Sequence, residues 1–302
     1  MYLCVKCKYK RKIMDTERWK IILTAIDKGS LCEAGEVLGY TVSGVSRSVA
    51  ALEKELGFSL LYRSKRGVAA TEECKQLLPL IRELLFVQQK LEQTAAGIMG
   101  ADCGTIVIGT AYSSYYHWLT EVTAMFREKH PDVQFHFIYG ASSELFTQLS
   151  EHRLDFALAS KREGDFSFTK LCDDPQLAMV SRKHPLAALK KIPVDVFARE
   201  PFIETYPKQE TDHSRSLKEC NIKPNTQYTT TDISATYAMV SAGLGISINN
   251  RINSQPDYQN VVHIPLDPPQ IIPIGLACNK ELPPAAEAFF RFLQTQIPKE
   301  WV

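Results

Sequence analysis

No apolar run in the sequence approaches the roughly 20 residues that a bilayer-spanning helix needs. The longest, Leu77 to Leu85, is broken by Pro79, Arg82 and Glu83. A membrane partner is therefore not expected. Internal repeats and low-complexity stretches are also lacking, and 15 glycines and 16 prolines in 302 residues leave no room for an extended flexible segment. The first thirteen residues are basic but carry no apolar core of signal-peptide length, so export is not expected and the cytoplasm is the expected compartment. The eight cysteines, at positions 4, 7, 32, 74, 103, 172, 220 and 278, follow no regular spacing and read as reduced thiols. Cys4 and Cys7 have the spacing of half a zinc site, but no second ligand pair follows at finger-like distance, so no metal is expected.

Catalytic machinery is equally scarce. His117, His130, His136, His152, His184, His213 and His263 stand in no triad or nucleophile-elbow pattern. No phosphate loop or dinucleotide fingerprint occurs. No catalytic residue and no cofactor are expected, although turnover of a bound metabolite would reopen the enzyme class. A DNA-binding architectural protein, whose C-terminal part only mediates assembly, is a further alternative.

The chain is about twice the usual domain length, which favours more than one packed unit. Its formal net charge of +1 hides an asymmetry. Residues 1–70 hold 13 Lys and Arg against 7 Asp and Glu, but residues 14–70 hold only 8 against 7. Charge marks the basic end as the one to meet phosphate, and pattern makes the stronger case. Trp19, Ile22, Leu23 and Ile26 recur at helical spacing, Gly29 stops that helix, and Ser30 is placed to cap a short second one over Leu31 to Leu38. Gly39, Tyr40 and Thr41 form a tight turn. Thr41 can cap a third helix whose apolar stripe is Val42, Val45, Val49, Leu52 and Leu56, ending at Gly57. Two short helices around a glycine-containing turn are a helix-turn-helix, whose second helix presents its first residues to base edges in the major groove.

Thr41, Val42, Ser43, Ser46 and Arg47 are thus candidate DNA contacts. Small side chains let the backbone approach the duplex, and Arg47 can donate twice to guanine or pair with phosphate. Phe58 to Val68 reads as strand, basic turn and strand, which places Arg63, Lys65 and Arg66 beside the phosphate backbone as a wing. Residues 71–99 read as one long helix. In it Leu77, Ile81, Leu84, Gln88, Leu91 and Ala95 alternate at heptad spacing, either a seam for a second chain or a face packed on its own domain. Pro79 disfavours a straight helix unless it lies in the first turns or at a bend. Gly97, Gly100 and Gly104 then predict a hinge.

From Thr105 strands and helices alternate. Ile106 to Gly109, Val133 to Tyr139 and Phe156 to Ala159 read as strands, with helices at Trp118 to His130 and Ser143 to Glu151. A second set follows, with strands at Ala178 to Val180, Phe202-Ile203 and Thr226 to Thr229 and helices at Ser214 to Cys220 and Ile233 to Ala242. Ile272 to Ala277 and a helix at Ala285 to Gln296 return to the first lobe. Two α/β lobes joined by crossover strands would hold a ligand in the cleft between them. Ser113, Ser114, Ser142, Ser143, Thr205 and Thr231 stand at strand ends or helix starts and are candidate effector contacts. Plain N-capping is the alternative for each. Hydroxyls and free N–H groups at helix starts suit an anion, so a small anionic effector is expected. Tyr112, Tyr115, Tyr116 and Trp118 point either to a planar ligand or to core.

At its N-terminal end the sequence resembles the LysR-type transcriptional regulators, in Gly29-Ser30-Leu31-Cys32-Glu33-Ala34-Gly35, Ser46-Arg47, Leu52-Glu53-Lys54-Glu55-Leu56-Gly57 and Leu60-Leu61-Tyr62-Arg63, with Thr71 in register. The resemblance runs from Met14 over nearly the whole chain. It implies an α+β multidomain protein: a winged helix-turn-helix over residues 14–71 after a basic extension at 1–13, a linker helix at 72–100 and a two-lobed periplasmic-binding-protein-like domain at 101–302. Lobe I is expected at about residues 101–162 and 268–302, and lobe II at about 163–267. The partners it implies are double-stranded DNA, a small-molecule effector and further copies of the chain, as a homodimer or homotetramer held through Leu77, Ile81, Leu84 and Leu91. It also places Ser113 and Ser142 at frequent effector-contacting positions and matches Gly140 and Ala242-Gly243-Leu244-Gly245. The sequence departs from the family at Val42, where a base-reading Gln is common, at Cys74, and at Ile248-Asn249, where Leu-Pro is usual.

Overall fold

The computed structural model describes residues 15–65, 67–99, 103–254 and 258–298. The basic extension at residues 1–13 and the wing residue Arg66 lie outside these. Contacts divide the chain into two units, one ending at Glu92 and one beginning at Gln93.

The first unit opens with α1 (Thr16–Lys28), α2 (Leu31–Leu38) and α3 (Val42–Leu56). Local chemistry sets their ends. Gly29, at φ 64°, stops α1, and the Ser30 hydroxyl accepts the Glu33 N–H to start α2. Thr41 likewise accepts from Gly44, and Gly57, at φ 84°, ends α3. A Cβ on Gly35 would meet the Tyr40 carbonyl oxygen at 2.7 Å, so the α2–α3 turn closes directly onto α2. Trp19, Ile22, Ala34, Val45, Val49 and Leu52 are buried together. Val42, expected on the apolar stripe of α3, is 47% exposed instead, because the first turn of α3 projects beyond the core.

Strands β1 (Leu61–Ser64) and β2 (Gly67–Ala70) pair antiparallel as the expected wing, with Leu61 opposite Ala70 and Ser64 opposite Gly67. One carboxylate ties this wing to α3: Glu53 Oε1 accepts the N–H groups of Leu60 at 2.7 Å and Leu61 at 3.1 Å. Helix α4 (Glu72–Ile98) follows and contains both Pro79 and Gly97, so the predicted hinge does not begin at Gly97. Gly104 already lies in a strand, and Gly100 is outside the described residues. The heptad row is divided. Leu77, Ile81 and Leu84 pack on the helix-turn-helix core, whereas Leu91 is 69% exposed, in company with Leu80 and Val87. Heptad spacing identifies an apolar stripe but not its partner, and here the unit's own core takes the N-terminal part.

The second unit contains β3 (Gly104–Thr110), α5 (Tyr116–Arg127), β4 (Val133–Tyr139), α6 (Ser142–Ser150) and β5 (Phe156–Ser160), in the expected alternating order. Then come β6 (Ser167–Ser181), β7 (Ile192–Pro193), β8 (Phe202–Thr205), α7 (Asp212–Glu219), β9 (Thr226–Thr230), α8 (Ile233–Ser241) and β10 (Ser247–Asn250). Strands β11 (Val261–Asp267) and β12 (Ile271–Cys278) and helix α9 (Pro284–Thr295) complete it. The main sheet runs β4-β3-β5-β12-β6-β11-β7, with β10 also on β6 and a separate β8-β9 pair. Strand β6 is the crossover. Up to Pro175 it pairs with β12, and from Gln176 it pairs with β10 and β11. The apolar pattern shows only its end, because Asp173, Asp174, Pro175 and Gln176 interrupt it at the point of exchange. Separate cores lie on the two sides. Ile106, Leu119, Phe156 and Phe289 belong to one, and Phe197, Phe202, Ile246 and Leu266 to the other. No helix among the described residues is long and apolar enough to cross a membrane.

Candidate functional site

In the first unit the surface of interest is the start of α3. Thr41, Val42, Ser43 and Arg47 are exposed, and Ser46 is half-buried between them. The Thr41 hydroxyl, besides capping, lies 3.2 Å from the Ser43 hydroxyl. Arg47 Nε donates to the Ser43 carbonyl at 3.2 Å, one turn back along the helix. From the wing, Arg63 Nη1 donates to the Ser46 hydroxyl at 3.2 Å and so joins the same face. Lys65 is exposed at the wing turn. Exposed Tyr40 flanks this face and was not singled out from the sequence, where it reads only as a turn residue.

In the second unit a cavity of about 500 Å³ opens between the two cores. Four expected residues line it: Ser113, Ser114, Ser142 and Thr205. Ser142 caps nothing by its side chain; its buried hydroxyl accepts the Ser160 N–H at 3.2 Å and so pins the start of α6 to the end of β5. Thr205, also buried, shares a 2.7 Å hydrogen bond with Thr236 of α8. Two expected contacts do not line this cavity. Ser143 lies outside the cavity, with its hydroxyl donating to the Glu210 carbonyl at 3.3 Å. Thr231 is exposed and also outside it, because β9 ends at Thr230 and the cap of α8 is Asp232, whose carboxylate accepts the Ser234 N–H at 2.8 Å.

The centre of the cleft is a polar cluster that the sequence reading missed. Asp212 opens α7, where Thr211 and Ser214 form a capping box. Its Oδ2 accepts from the Tyr112 hydroxyl at 2.8 Å and from Asn250 Nδ2 at 3.1 Å. Its Oδ1 accepts from the Ser160 hydroxyl at 2.6 Å and from Arg162 Nη2 at 3.2 Å. Arg162 Nη1 in turn donates to the Ser160 hydroxyl at 2.6 Å. The Asp212 and Arg162 side chains are only 11% and 9% exposed, so this is a nearly dry ion pair that ties α7 to the ends of β3 and β5. Burial raises the Tyr112 hydroxyl well above its ordinary range, and the Asp212 carboxylate pushes the same way. Burial lowers the Arg162 guanidinium, and Asp212 opposes that shift. The neighbouring His213 is held down to about 4 by burial, so its ring is neutral near pH 7. No sequence spacing links Tyr112, Ser160, Arg162, Asp212 and Asn250. Of the aromatic residues noted near the first loop, Tyr112, Tyr115 and Trp118 belong to the core, and Tyr112 also lines the cavity.

Residues 100–298 match the family described as "LysR substrate binding domain", and residues 16–75 match "Bacterial regulatory helix-turn-helix protein, lysR family". The HTH-type transcriptional regulator YvbU of Bacillus subtilis, itself uncharacterized, is 27% identical over 281 residues, 91% of this chain and 96% of its own. Among solved structures, full-length OxyR from Pseudomonas aeruginosa aligns with a TM-score of 0.69 over 93% of this chain and 94% of its own. At 18% identity that likeness is one of fold. The effector binding domain of QuiR in complex with shikimate aligns with a TM-score of 0.56 at 27% identity, over 66% of this chain and 100% of its own. The chain belongs to the LysR family: it is a DNA-binding transcriptional regulator with an effector-binding domain, and not an enzyme.

Proposed function

We propose that this regulator binds double-stranded operator DNA in the cytoplasm as a homodimer or homotetramer, and that a small polar effector in the cleft changes its operator affinity. Thr41, Val42, Ser43, Ser46 and Arg47 would meet base edges. Arg63, Lys65 and Arg66 would meet phosphates. Leu80, Val87, Leu91 and Ile98 of α4 are exposed apolar side chains that would be available to a second copy. Residues 14–71, 72–100 and 101–302 would serve as DNA-binding, linker and effector parts, with the lobes exchanging within β6 near Pro175.

The observation that carries the effector reading is the convergence of Ser113, Ser114, Ser142 and Thr205 on one cavity of about 500 Å³, a volume that suits a small metabolite. That the effector binding domain of QuiR is solved in complex with shikimate supports the same reading. The test pairs two measurements. An operator is selected from random duplexes, and its affinity is read by fluorescence anisotropy with and without a compound found by thermal shift on the full chain. The expected change in affinity is roughly fivefold or more. Replacing Ser113 and Ser142 together by Ala should remove the response while affinity without the compound stays near that of the parent. A response that persists at the parent's compound concentration would make these hydroxyls merely structural.

A further inference from the structure

Hydrogen bonds cross the effector cleft in one cluster, and most of them end on a single carboxylate. Tyr112 and β5 belong with the first core, through the packing of Tyr112 itself and of Phe156 and Leu158. Helix α7 belongs with the second, through Leu217. From the first side the Tyr112 and Ser160 hydroxyls and Arg162 Nη2 donate to Asp212 of α7. Beside them the Ser143 hydroxyl donates across to the Glu210 carbonyl, and Arg215 Nη1 of α7 donates back to the Lys161 carbonyl at 3.3 Å.

Capping does not account for Asp212. Thr211 and Ser214 already close the start of α7, each side chain accepting the other's backbone N–H. The Asp212 carboxylate is left to reach over the cleft, where Asn250 Nδ2 from its own side completes a set of donors that fills both oxygens. Empty space adjoins this cluster twice. Arg162 and Glu210 line the cavity of about 500 Å³ and also a second one of about 780 Å³, so they stand as a partition between the two. A nearly buried ion pair adds little net stability over a well-packed apolar pair, and its best-attested use is to select one arrangement among several. Two-lobed domains commonly close by hinge motion around a ligand. Here the closing contacts come from within the chain.

Resting on the effector cleft proposed above, we infer that Asp212 is a tethered occupant of that cleft, whose carboxylate latches the two lobes together before any effector arrives. Parting of the lobes, and not their closure, is then the movement that an effector drives. Once Asp212 is released, Tyr112, Ser160 and Arg162 become donors for an acceptor group of the effector.

The test follows backbone hydrogen exchange by mass spectrometry against urea, on the full chain, for the parent, Tyr112→Phe and Asp212→Asn. Parted lobes expose little new surface, so residues 158–163 and 205–216 should exchange through an opening that urea barely changes. Each variant should speed that exchange roughly tenfold or more, since each weakens a hydrogen bond to a charged group. Strand β3 and helix α9 should exchange through unfolding, which urea promotes steeply. If the two cleft segments instead follow β3 and α9 at every urea concentration, the network is a structural tie and the latch falls. It falls equally if neither variant speeds the cleft segments. A third variant, Asp212→Ala, vacates the seat: formate should slow exchange at residues 158–163, and chloride at equal ionic strength should not. Formate that acts no differently from chloride overturns the occupancy, and should Asp212→Ala fail to fold, the first two variants decide alone. The Ser113 and Ser142 double variant separates this inference from the effector reading. Lobe release together with a compound response that survives the double variant keeps the latch and sinks the effector cleft. No release together with a lost response keeps the cleft and sinks the latch.

Discussion

The two ends of this molecule build their binding surfaces in opposite ways. The start of α3 is a local device. Its polar residues lie within seven positions of one another, are largely exposed, and take their direction from a single cap and a single helix. The effector cleft is a long-range device. Tyr112 and Asp212 are a hundred residues apart in sequence and 2.8 Å apart in space, and the donors and acceptors at its centre are mostly buried. Exposed side chains on α3 can change without disturbing the fold, whereas each member of the buried cluster supports both the fold and the site. Recognition and stability are therefore separable at one end and joined at the other.

The largest expected effect breaks the joined end. Asp212→Ala leaves the nearly buried Arg162 guanidinium without its partner, and loss of one member of such a pair costs about 3–5 kcal/mol. The second unit should melt well below the parent by differential scanning calorimetry. A melting temperature within a degree or so of the parent's would show that α7 is held by packing alone.

Next in size is the response to pH, and here two buried groups act in opposite directions. His213 is lowered from 6.5 to about 4, so the unfolded chain takes up its proton first and stability is lost as pH falls through that window. Asp155 is raised from 3.8 to about 6 by burial, although it accepts the Val107 N–H, so the folded chain binds its proton first and stability is gained as pH falls through its window. Each effect amounts to about 3 kcal/mol at the limits of its window. The parent's urea midpoint should accordingly move little between pH 7 and 5. Asp155→Asn should be more stable relative to the parent at pH 7 than at pH 5, and His213→Asn should show the reverse trend. Parallel curves for all three proteins would mean that neither group titrates in these windows.

Smaller again is the effect at the exposed end. Arg47→Ala should weaken specific operator binding by about 1–3 kcal/mol with no change in melting temperature. Arg63→Ala should lower affinity for all duplexes alike and reduce the salt slope, because a phosphate contact releases counterions. A loss of thermal stability in the Arg47 variant would blur the distinction between the two ends. The smallest effect is expected at Thr231. As an exposed residue outside the cavity, its replacement by Ala should change stability by less than about 0.5 kcal/mol and leave any effector response intact. A lost response would extend the site beyond the cavity wall.

Whatever depends on neighbours in the chain was legible in the sequence. Gly29, Ser30, Thr41 and Gly57 announced the helix ends because capping and left-handed backbone are properties of a few consecutive residues. The alternation of strands and helices after Thr105 is a periodicity and was equally readable. That Ser113, Ser114, Ser142 and Thr205 share one cavity wall was readable in part because each stands at the junction of two such elements. Tertiary structure alone decided the rest. It turned Val42 outward, packed Leu77 and Ile81 on the helix-turn-helix core, and ran β6 through a polar stretch that breaks the apolar pattern. It also excluded Thr231 and brought Arg162 and Asp212 together at the centre of the cleft. The reason is physical: a periodic pattern says that a face will be buried, but its partner, and the pairing of charges brought together by the fold, exist only once the strands have crossed.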